Sequence, residues 1–343
     1  MDRGFVLVEP GLARLEEIAL DAPGPNEVVV RLTASGVCRS DLHVIEHDGW
    51  GHRLPVLLGH EGAGVVEAVG EAVESPRPGD RVVLGWRAPC GRCAHCARGD
   101  VRRCARPASA QRRLRLSDGR KLTHVLRMGT FATRTIVHAA AAVPVPDDLP
   151  LDQACLLGCA VATGVGSVLE TARVWPGARV AVIGCGAVGV SVVQGARIAG
   201  AAEIHAIDPD ERKVEAARRF GATHAGEPDE VDFAFDVVGL PATLELALRL
   251  LAHAGTAVLV GLPQPETSAR VELAPFFDKR SRVLVSHGGD HLPAEDFPRL
   301  AQWALDGKLD LAGMVTKRVP LDDVEAALAD LRRGDVIRSV IEL

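Results

Sequence analysis

Between Glu27 and Thr33 the apolar positions Val28, Val29, Val30 and Leu32 predict a strand. A second strand is predicted over Gly62–Val69. A third, Arg81–Leu84, follows the turn Pro78-Gly79-Asp80. No strong helical period interrupts this first part, which reads as β-rich and turn-rich. Residues 85–130 are polar, basic and cysteine-bearing, and read as a long surface excursion. The pattern changes near Leu151. Asp152–Leu157 and Thr163–Thr171 look helical, and Trp175-Pro176-Gly177 breaks the chain. From Arg179–Ile183 onward strands alternate with helices. Val188–Gly200 is expected to be helical, Glu203–Ile207 a strand, Asp210–Phe220 a helix, Phe233–Val238 a strand, Ala242–Ala252 a helix and Thr256–Val260 a strand. That alternation predicts a parallel sheet with right-handed crossovers. The tail is mixed, ending in an amphipathic helix over Leu321–Arg333 that Gly334 stops.

Composition narrows the functional classes. The 343 residues suggest two domains, and 47% hydrophobic with 24% charged residues describes a globular chain. A net charge of −6, with no long basic run, argues against nucleic acid or an anionic membrane as a partner. The first ten residues lack the apolar core of a secretory signal. The most apolar stretch, Val180–Val193, is too short to span a bilayer and is interrupted by glycines. A cytoplasmic location with reduced thiols is therefore expected, and it changes how the eight cysteines are read.

Four of them, Cys90, Cys93, Cys96 and Cys104, have the spacing C-x2-C-x2-C-x7-C. Four thiolates this close on a loop can enclose one tetrahedral zinc at about 2.3 Å per bond, with no position left for substrate. Such a site is structural. An iron–sulfur cluster uses the same donors, and two disulfides or unconnected thiols are the remaining readings. A second motif, Gly184-Cys185-Gly186-Ala187-Val188-Gly189, follows a predicted strand and opens a predicted helix. Asp208 comes 19 residues after Gly189, at the end of the next strand. This is the context of a dinucleotide-binding turn. Gly184, Gly186 and Gly189 would let backbone approach a pyrophosphate at a helix N-terminus. The Asp208 carboxylate would accept ribose hydroxyls and repel a 2′-phosphate, which favours NAD over NADP.

Three further donors are scattered. Cys38 lies in Cys38-Arg39-Ser40-Asp41-Leu42-His43, His60 in Gly59-His60-Glu61-Gly62, and Cys159 in Leu157-Gly158-Cys159. Spacing alone does not join them, and each is compatible with an ordinary buried side chain. With the four-cysteine run, Thr163-Gly164, the glycine-rich turn and the tail Ile337-Arg338-Ser339-Val340, these motifs make the whole chain resemble the zinc-dependent medium-chain alcohol dehydrogenase family.

The resemblance implies an α/β protein. A Rossmann NAD-binding domain over residues 161–286 would be joined to a β-rich GroES-like catalytic domain, residues 1–160 and 287–343, bearing a structural-zinc lobe. It implies two zinc ions per chain, the catalytic one held by Cys38, His60 and Cys159, with Glu61 beside it and Asp41 orienting His60. It also implies a proton relay through Ser40 and His43. Arg39 and Arg338 would bind the cofactor pyrophosphate, Lys213 would lie near the adenosine ribose, and Thr163 and Val188 would pack on the nicotinamide. Trp50, Trp86, Val125 and Leu126 match substrate-pocket positions and suit a medium aliphatic or aromatic primary alcohol. A zinc with three protein ligands keeps a position for a substrate oxygen and lowers the pKa of a bound alcohol. The expected activity is reversible hydride transfer between such an alcohol or its aldehyde and NAD, in a homodimer or homotetramer. Two alternatives stand beside it: a thiol-dependent formaldehyde dehydrogenase, and a non-catalytic zinc protein of the same fold. The chain departs from the family pattern between Ala225 and Val231, where it is too short for the usual helix. At His287 it has a histidine where an aromatic is common, and no role is assigned to it.

Overall fold

The computed structural model describes residues 2–343, which form two compact units, residues 2–159 with 292–343, and residues 160–291. The first unit is organised around the strand Glu27–Gly36. It pairs antiparallel with Glu61–Val69, Arg134–His138 and Arg338–Glu342. Val28, Val29, Val30 and Leu32 are all buried, so this strand is covered on both faces. That explains its unbroken apolar run, since a strand with one wet face would alternate. Register shifts at Val29/Val30 and Leu32/Ala34 bend the strand. Strand Arg81–Leu84 continues the sheet beyond Glu61–Val69.

Several elements of this unit differ from expectation. Asp2–Glu9 and Leu12–Leu20 form an antiparallel hairpin. In its second strand the charged residues Arg14, Glu16 and Glu17 break the apolar positions, and only Ile18 is buried, so no clean alternation shows. A helix, Arg39–Glu46, interrupts the β-rich part. Eight residues are too few to display a helical period. It starts because Cys38 stands at the N-cap and Asp41 Oδ2 accepts the Cys38 N–H at 3.1 Å. Residues 85–130 are not only a surface excursion. Leu114–Leu116 and Thr123–His124 are strands of a five-stranded sheet, and Leu114, Leu122, Val125 and Met128 are buried. Their apolar residues are diluted among arginines, so no run is long enough to register. Between Leu151 and Gly166 the helical stretch is broken. A 3₁₀ turn, Cys155–Gly158, ends at Cys159, whose φ of −145° and ψ of −74° lie outside the helical region. The tail folds into the helices Pro293–Leu305 and Val324–Arg333 and the parallel strand pair Val315–Pro320 and Arg338–Glu342.

The second unit holds a six-stranded parallel sheet. Its order is His224–Ala225, Glu203–Ile207, Arg179–Ile183, Val231–Asp236, Leu251–Leu259 and Arg282–Val285. Helices Ala187–Ile198, Glu211–Arg219 and Pro241–Arg249 follow the strands. The second of these begins where Asp210 Oδ1 accepts the Arg212 N–H at 3.0 Å. Four of the six strands lie close to their expected positions, although Leu251–Leu259 starts five residues before the predicted strand, and the edge strands His224–Ala225 and Arg282–Val285 were not predicted. Among the described residues no helix lies between Ala225 and Val231, matching the short sequence there. No single helix among them is long and apolar enough to cross a membrane.

Candidate active site and metal centres

The sheet ends and the helix Arg39–Glu46 bring four scattered donors together. One donor atom from each of Cys38, His60, Glu61 and Cys159 lies within 4.8 Å of the others, and all four residues are buried. Asp41 sets the geometry. Its Oδ1 accepts from His60 Nδ1 and from the Gly59 N–H, both at 3.1 Å. With Nδ1 held by the carboxylate, His60 Nε2 is the ring nitrogen turned away from Asp41, and it has no hydrogen-bond partner although fully buried. A buried imidazole nitrogen without a partner is costly unless something else occupies that place. A metal ion does so, and a carboxylate on the far nitrogen is the usual companion of a metal-bound histidine.

Electrostatics point the same way in the metal-free chain. The Cys159 thiol beside Cys38, with Arg338 and His60 nearby, holds Cys38 well below the ordinary thiol value. Cys159 is correspondingly held well above it. Burial pulls His60 down, but Asp41 and Cys38 outweigh it and raise its pKa well above the usual histidine value. The pocket thus favours negative sulfur and a cation. Burial also pushes Glu61 up to about 7, against the pull of Arg338, whose Nη2 lies 3.2 Å from Glu61 Oε1. Arg338 was expected at a cofactor pyrophosphate. It is buried here, with Nη1 donating to the Val37 carbonyl at 2.6 Å. Its guanidinium thus meets Glu61 and the main chain, while its Nε has no hydrogen-bond partner. The Glu61–Arg338 pairing is not readable from spacing, because the two residues meet only through the sheet.

The second cluster is local. The four donors Cys90, Cys93, Cys96 and Cys104 lie within 4.8 Å of one another on a partly exposed loop. Cys93 Sγ is 3.6 Å from Cys96 Sγ and 3.9 Å from Cys104 Sγ. Two thiolates bound at about 2.3 Å to a tetrahedral ion stand about 3.8 Å apart, so the spacing fits zinc. All eight cysteines are free, so the two-disulfide reading fails. Main-chain N–H groups of Cys90 and Cys93 donate to Cys104 Sγ and Cys90 Sγ, each at 3.3 Å. The N–H groups of Cys96 and Ala105 pull Cys93 down to about 6, while burial pushes Cys96 up to about 12. Arg102 fastens the loop to the helix Pro293–Leu305 through Asp296 at 2.7 Å.

In the second unit the glycine-rich turn joins Arg179–Ile183 to Ala187–Ile198. A Cβ on Gly189 would lie 1.9 Å from the Gly184 carbonyl, so only glycine allows this helix so close to its strand. A Cβ on Gly186 would meet nothing, and that side of the turn is open for a ligand. Asp208 faces the turn. Its Oδ2 accepts the Cys185 N–H at 2.8 Å and its Oδ1 the Asp210 N–H at 3.0 Å. The turn and the carboxylate therefore fit a dinucleotide. Lys213 lies in the first half of the following helix, and Val188 is half-buried at the start of the preceding one. Thr163, buried, belongs to the helix Ala160–Gly166.

Ser40 and His43 share one face of the helix Arg39–Glu46, being three residues apart. Ser40 Oγ lies 3.8 Å from Cys38 Sγ. His43 packs edge-on against Trp50 at 4.8 Å between ring centres. Burial, then the Arg39 charge, lowers its pKa, so it is neutral near pH 7. Arg39 itself is exposed at the helix start. The expected pocket residues are divided. Trp50 and Val125 pack in one core cluster and Trp86 in another, while Leu126 touches both. His287 is exposed at the start of the turn Gly288–Asp290.

Residues 24–147 match the alcohol dehydrogenase GroES-like domain, and residues 187–306 match the zinc-binding dehydrogenase domain. The S-(hydroxymethyl)glutathione dehydrogenase of Escherichia coli O1:K1 is 34% identical over 365 aligned residues, covering 99% of each chain. Among solved structures, an alcohol dehydrogenase zinc-binding domain protein from Burkholderia ambifaria superposes with a TM-score of 0.94 at 34% identity, covering 100% of this chain and 98% of that one. The benzyl alcohol dehydrogenase of Acinetobacter calcoaceticus does so with a TM-score of 0.92 at 28% identity, covering 100% and 99%. A GroES-like unit with a buried Cys₂His donor set, a four-thiol lobe and a parallel-sheet unit with a dinucleotide turn establish the fold, and with these matches the chain belongs to the zinc-dependent medium-chain alcohol dehydrogenase family of oxidoreductases.

Proposed function

We propose that this enzyme interconverts a primary alcohol, medium aliphatic or aromatic, and its aldehyde, with NAD as the hydride carrier and two zinc ions per chain. The observation that carries the reading is the buried, partnerless His60 Nε2, turned by Asp41 toward the thiols of Cys38 and Cys159. Cys38, His60 and Cys159 would hold one ion, with Glu61 as a reserve donor. Cys90, Cys93, Cys96 and Cys104 would hold the other. When bound, the first zinc supplies a Lewis acid toward the substrate oxygen, and the dinucleotide supplies a hydride acceptor or donor. The chain's own part is positioning and proton movement. Ser40 Oγ takes the alcohol proton, and neutral His43 passes it to solvent. Asp208 accepts the adenosine ribose hydroxyls, Lys213 flanks them, and Thr163 and Val188 bound the nicotinamide. Arg39 neutralises pyrophosphate charge. Arg338 would share the pyrophosphate charge with Arg39 while its contact with Glu61 ties it to the metal donors. Trp50, Trp86, Val125 and Leu126 give the substrate path an apolar wall.

Self-association is part of the proposal. The edge strand Arg282–Val285 leaves Val283 and Val285 exposed, and the nearby helix leaves Leu273 and Phe277 exposed. An apolar open edge of this kind favours pairing with a second copy. Free thiols throughout suit a reducing, cytoplasmic compartment.

A second reading, oxidation of a thiol–formaldehyde adduct, is favoured by the identity to the Escherichia coli S-(hydroxymethyl)glutathione dehydrogenase. A panel of alcohols and aldehydes with NAD and NADP, with and without glutathione, separates the two. Benzyl or hexyl alcohol turnover without thiol supports the first. Saturation that requires thiol and formaldehyde together supports the second. In the same assay Asp208→Gly should narrow the preference for NAD over NADP by about tenfold or more, because a like-charge clash with the 2′-phosphate is removed. An unchanged ratio contradicts the role given to Asp208.

A further inference from the structure

We propose that Glu203, His205 and His224 form a third metal site, at the edge of the parallel sheet, for a divalent transition cation of the zinc class. Parallel pairing sets His205 directly opposite His224. Glu203 precedes His205 by two residues and so shares its face of the strand. Ile204 and Ala206, which flank His205, are buried with the other face of the strand. The strand thus presents Glu203 and His205 on one face, beside His224 of the neighbouring strand. One donor atom from each lies within 4.8 Å of the other two. The two imidazole rings stack with centres 4.6 Å apart and planes 14° apart. His205 Nε2 and Glu203 Oε2 are separated by 3.2 Å. Two donors bound at 2.0–2.1 Å to one tetrahedral ion stand about 3.3 Å apart, so this pair already has ligand spacing.

Thr223 orients the third donor. Its hydroxyl accepts the Ile204 N–H at 2.8 Å and lies 2.8 Å from His224 Nδ1 and 3.3 Å from the Ile204 carbonyl. Donation by His224 Nδ1–H to the hydroxyl, with the hydroxyl proton on the carbonyl, leaves the Nε2 lone pair for an ion. A hydroxyl holding the far nitrogen is the arrangement that orients a ligating histidine. As an ion enters, His205 Nε2 gives up its hydrogen bond to Glu203 and the ring proton moves to Nδ1, so that Nε2 and the carboxylate both become donors. His224 is exposed, which leaves water as the remaining ligand. Two imidazoles and a carboxylate suit zinc, nickel or copper(II) better than magnesium or calcium. The strand His224–Ala225 has only two residues, so a shared ion would tie this edge to its neighbour.

The test uses the desalted zinc-loaded enzyme, titrated with zinc chloride against a chromophoric zinc indicator, with thermal melts in parallel. Wild type should take up one zinc per chain beyond its resting content, and its melting temperature should rise by a few degrees. His224→Ala and Glu203→Gln should each weaken that uptake at least about tenfold, a loss typical of disturbing a metal's ligand shell, and abolish the rise. Both variants should keep their resting zinc and alcohol oxidation. His253→Ala, at an exposed histidine elsewhere, should behave as wild type. The proposal is overturned if wild type takes up no further zinc, or if His224→Ala takes it up as wild type does.

Discussion

The four thiols between Cys90 and Cys104 come from one loop, whereas Cys38, His60 and Cys159 are drawn from three separate parts of the chain, more than a hundred residues apart at the extremes. The loop donors are partly exposed and the scattered donors are buried. In the loop, main-chain N–H groups from the cysteines themselves organise the sulfurs. In the buried set a dedicated carboxylate, Asp41, holds three groups at once and ties its own helix to the Gly59–His60 segment. It bonds the Cys38 N–H, the Gly59 N–H and His60 Nδ1. Four thiolates close a tetrahedron and leave an ion nothing to do but hold its loop. Two thiolates and an imidazole leave a position free. Clustering in sequence thus accompanies a structural ion, and assembly by the fold accompanies a chemical one.

That contrast can be broken at several points. The largest effect is expected for Cys159→Ser. Losing a Lewis acid worth several kcal/mol at the reacting oxygen lowers kcat by on the order of 10³-fold or more, with little change in melting temperature. Steady-state kinetics with calorimetry checks both halves. Cys96→Ser should do the reverse. Because binding at a closed site contributes directly to folding, the variant should melt lower by roughly 10 °C, and refolded molecules should retain hydride transfer per bound catalytic zinc. Asp41→Asn comes next. Loss of the charged orienting partner should weaken zinc at the buried site by about 10–100-fold and leave the loop zinc untouched, as competition with a chelator would measure.

The smallest effect concerns how the loop is tied down. Glu27 accepts the Gln111 N–H at 2.6 Å and the Gly24 N–H at 2.7 Å and pairs with Arg113, where the chain leaves the cysteine loop. Burial raises its pKa, but the two N–H groups and Arg113 outweigh burial and leave it below the ordinary glutamate value. A depressed carboxylate contributes stability that is fully present above its unfolded value, about 4.3, and is lost as pH falls through the lower folded value. Glu27→Gln should therefore melt a few degrees lower at pH 7. It should lose less than wild type on acidification below pH 4, which melts across a pH series would show. An acid limb as steep as wild type's would separate Glu27 from the loop's attachment.

Legibility followed the same division. The loop's metal site and the dinucleotide turn were readable directly, because each is a short motif whose spacing states its geometry. The parallel sheet was readable because helix and strand periods alternate cleanly. Cys38, His60 and Cys159 were joined only by family resemblance. Their convergence depends on sheet register and on the helix Arg39–Glu46, which is too short to leave a period. The Arg338–Glu61 pairing and the alignment of His205 with His224 are register facts of the same kind. The strand Leu114–Leu116 was obscured by neighbouring arginines, although both leucines enter the core, and Thr123–His124 is two polar residues with no pattern to read.

The division between a chemical and a structural ion is tested most directly by counting zinc in the purified, desalted enzyme and in its Cys159→Ser variant, alongside alcohol oxidation by each. Two zinc ions in the wild type and one in the variant, with the fold kept and turnover lost, is the expected result. Equal zinc in both proteins, or a variant that loses one zinc and still turns over alcohol at the wild-type rate, would contradict it.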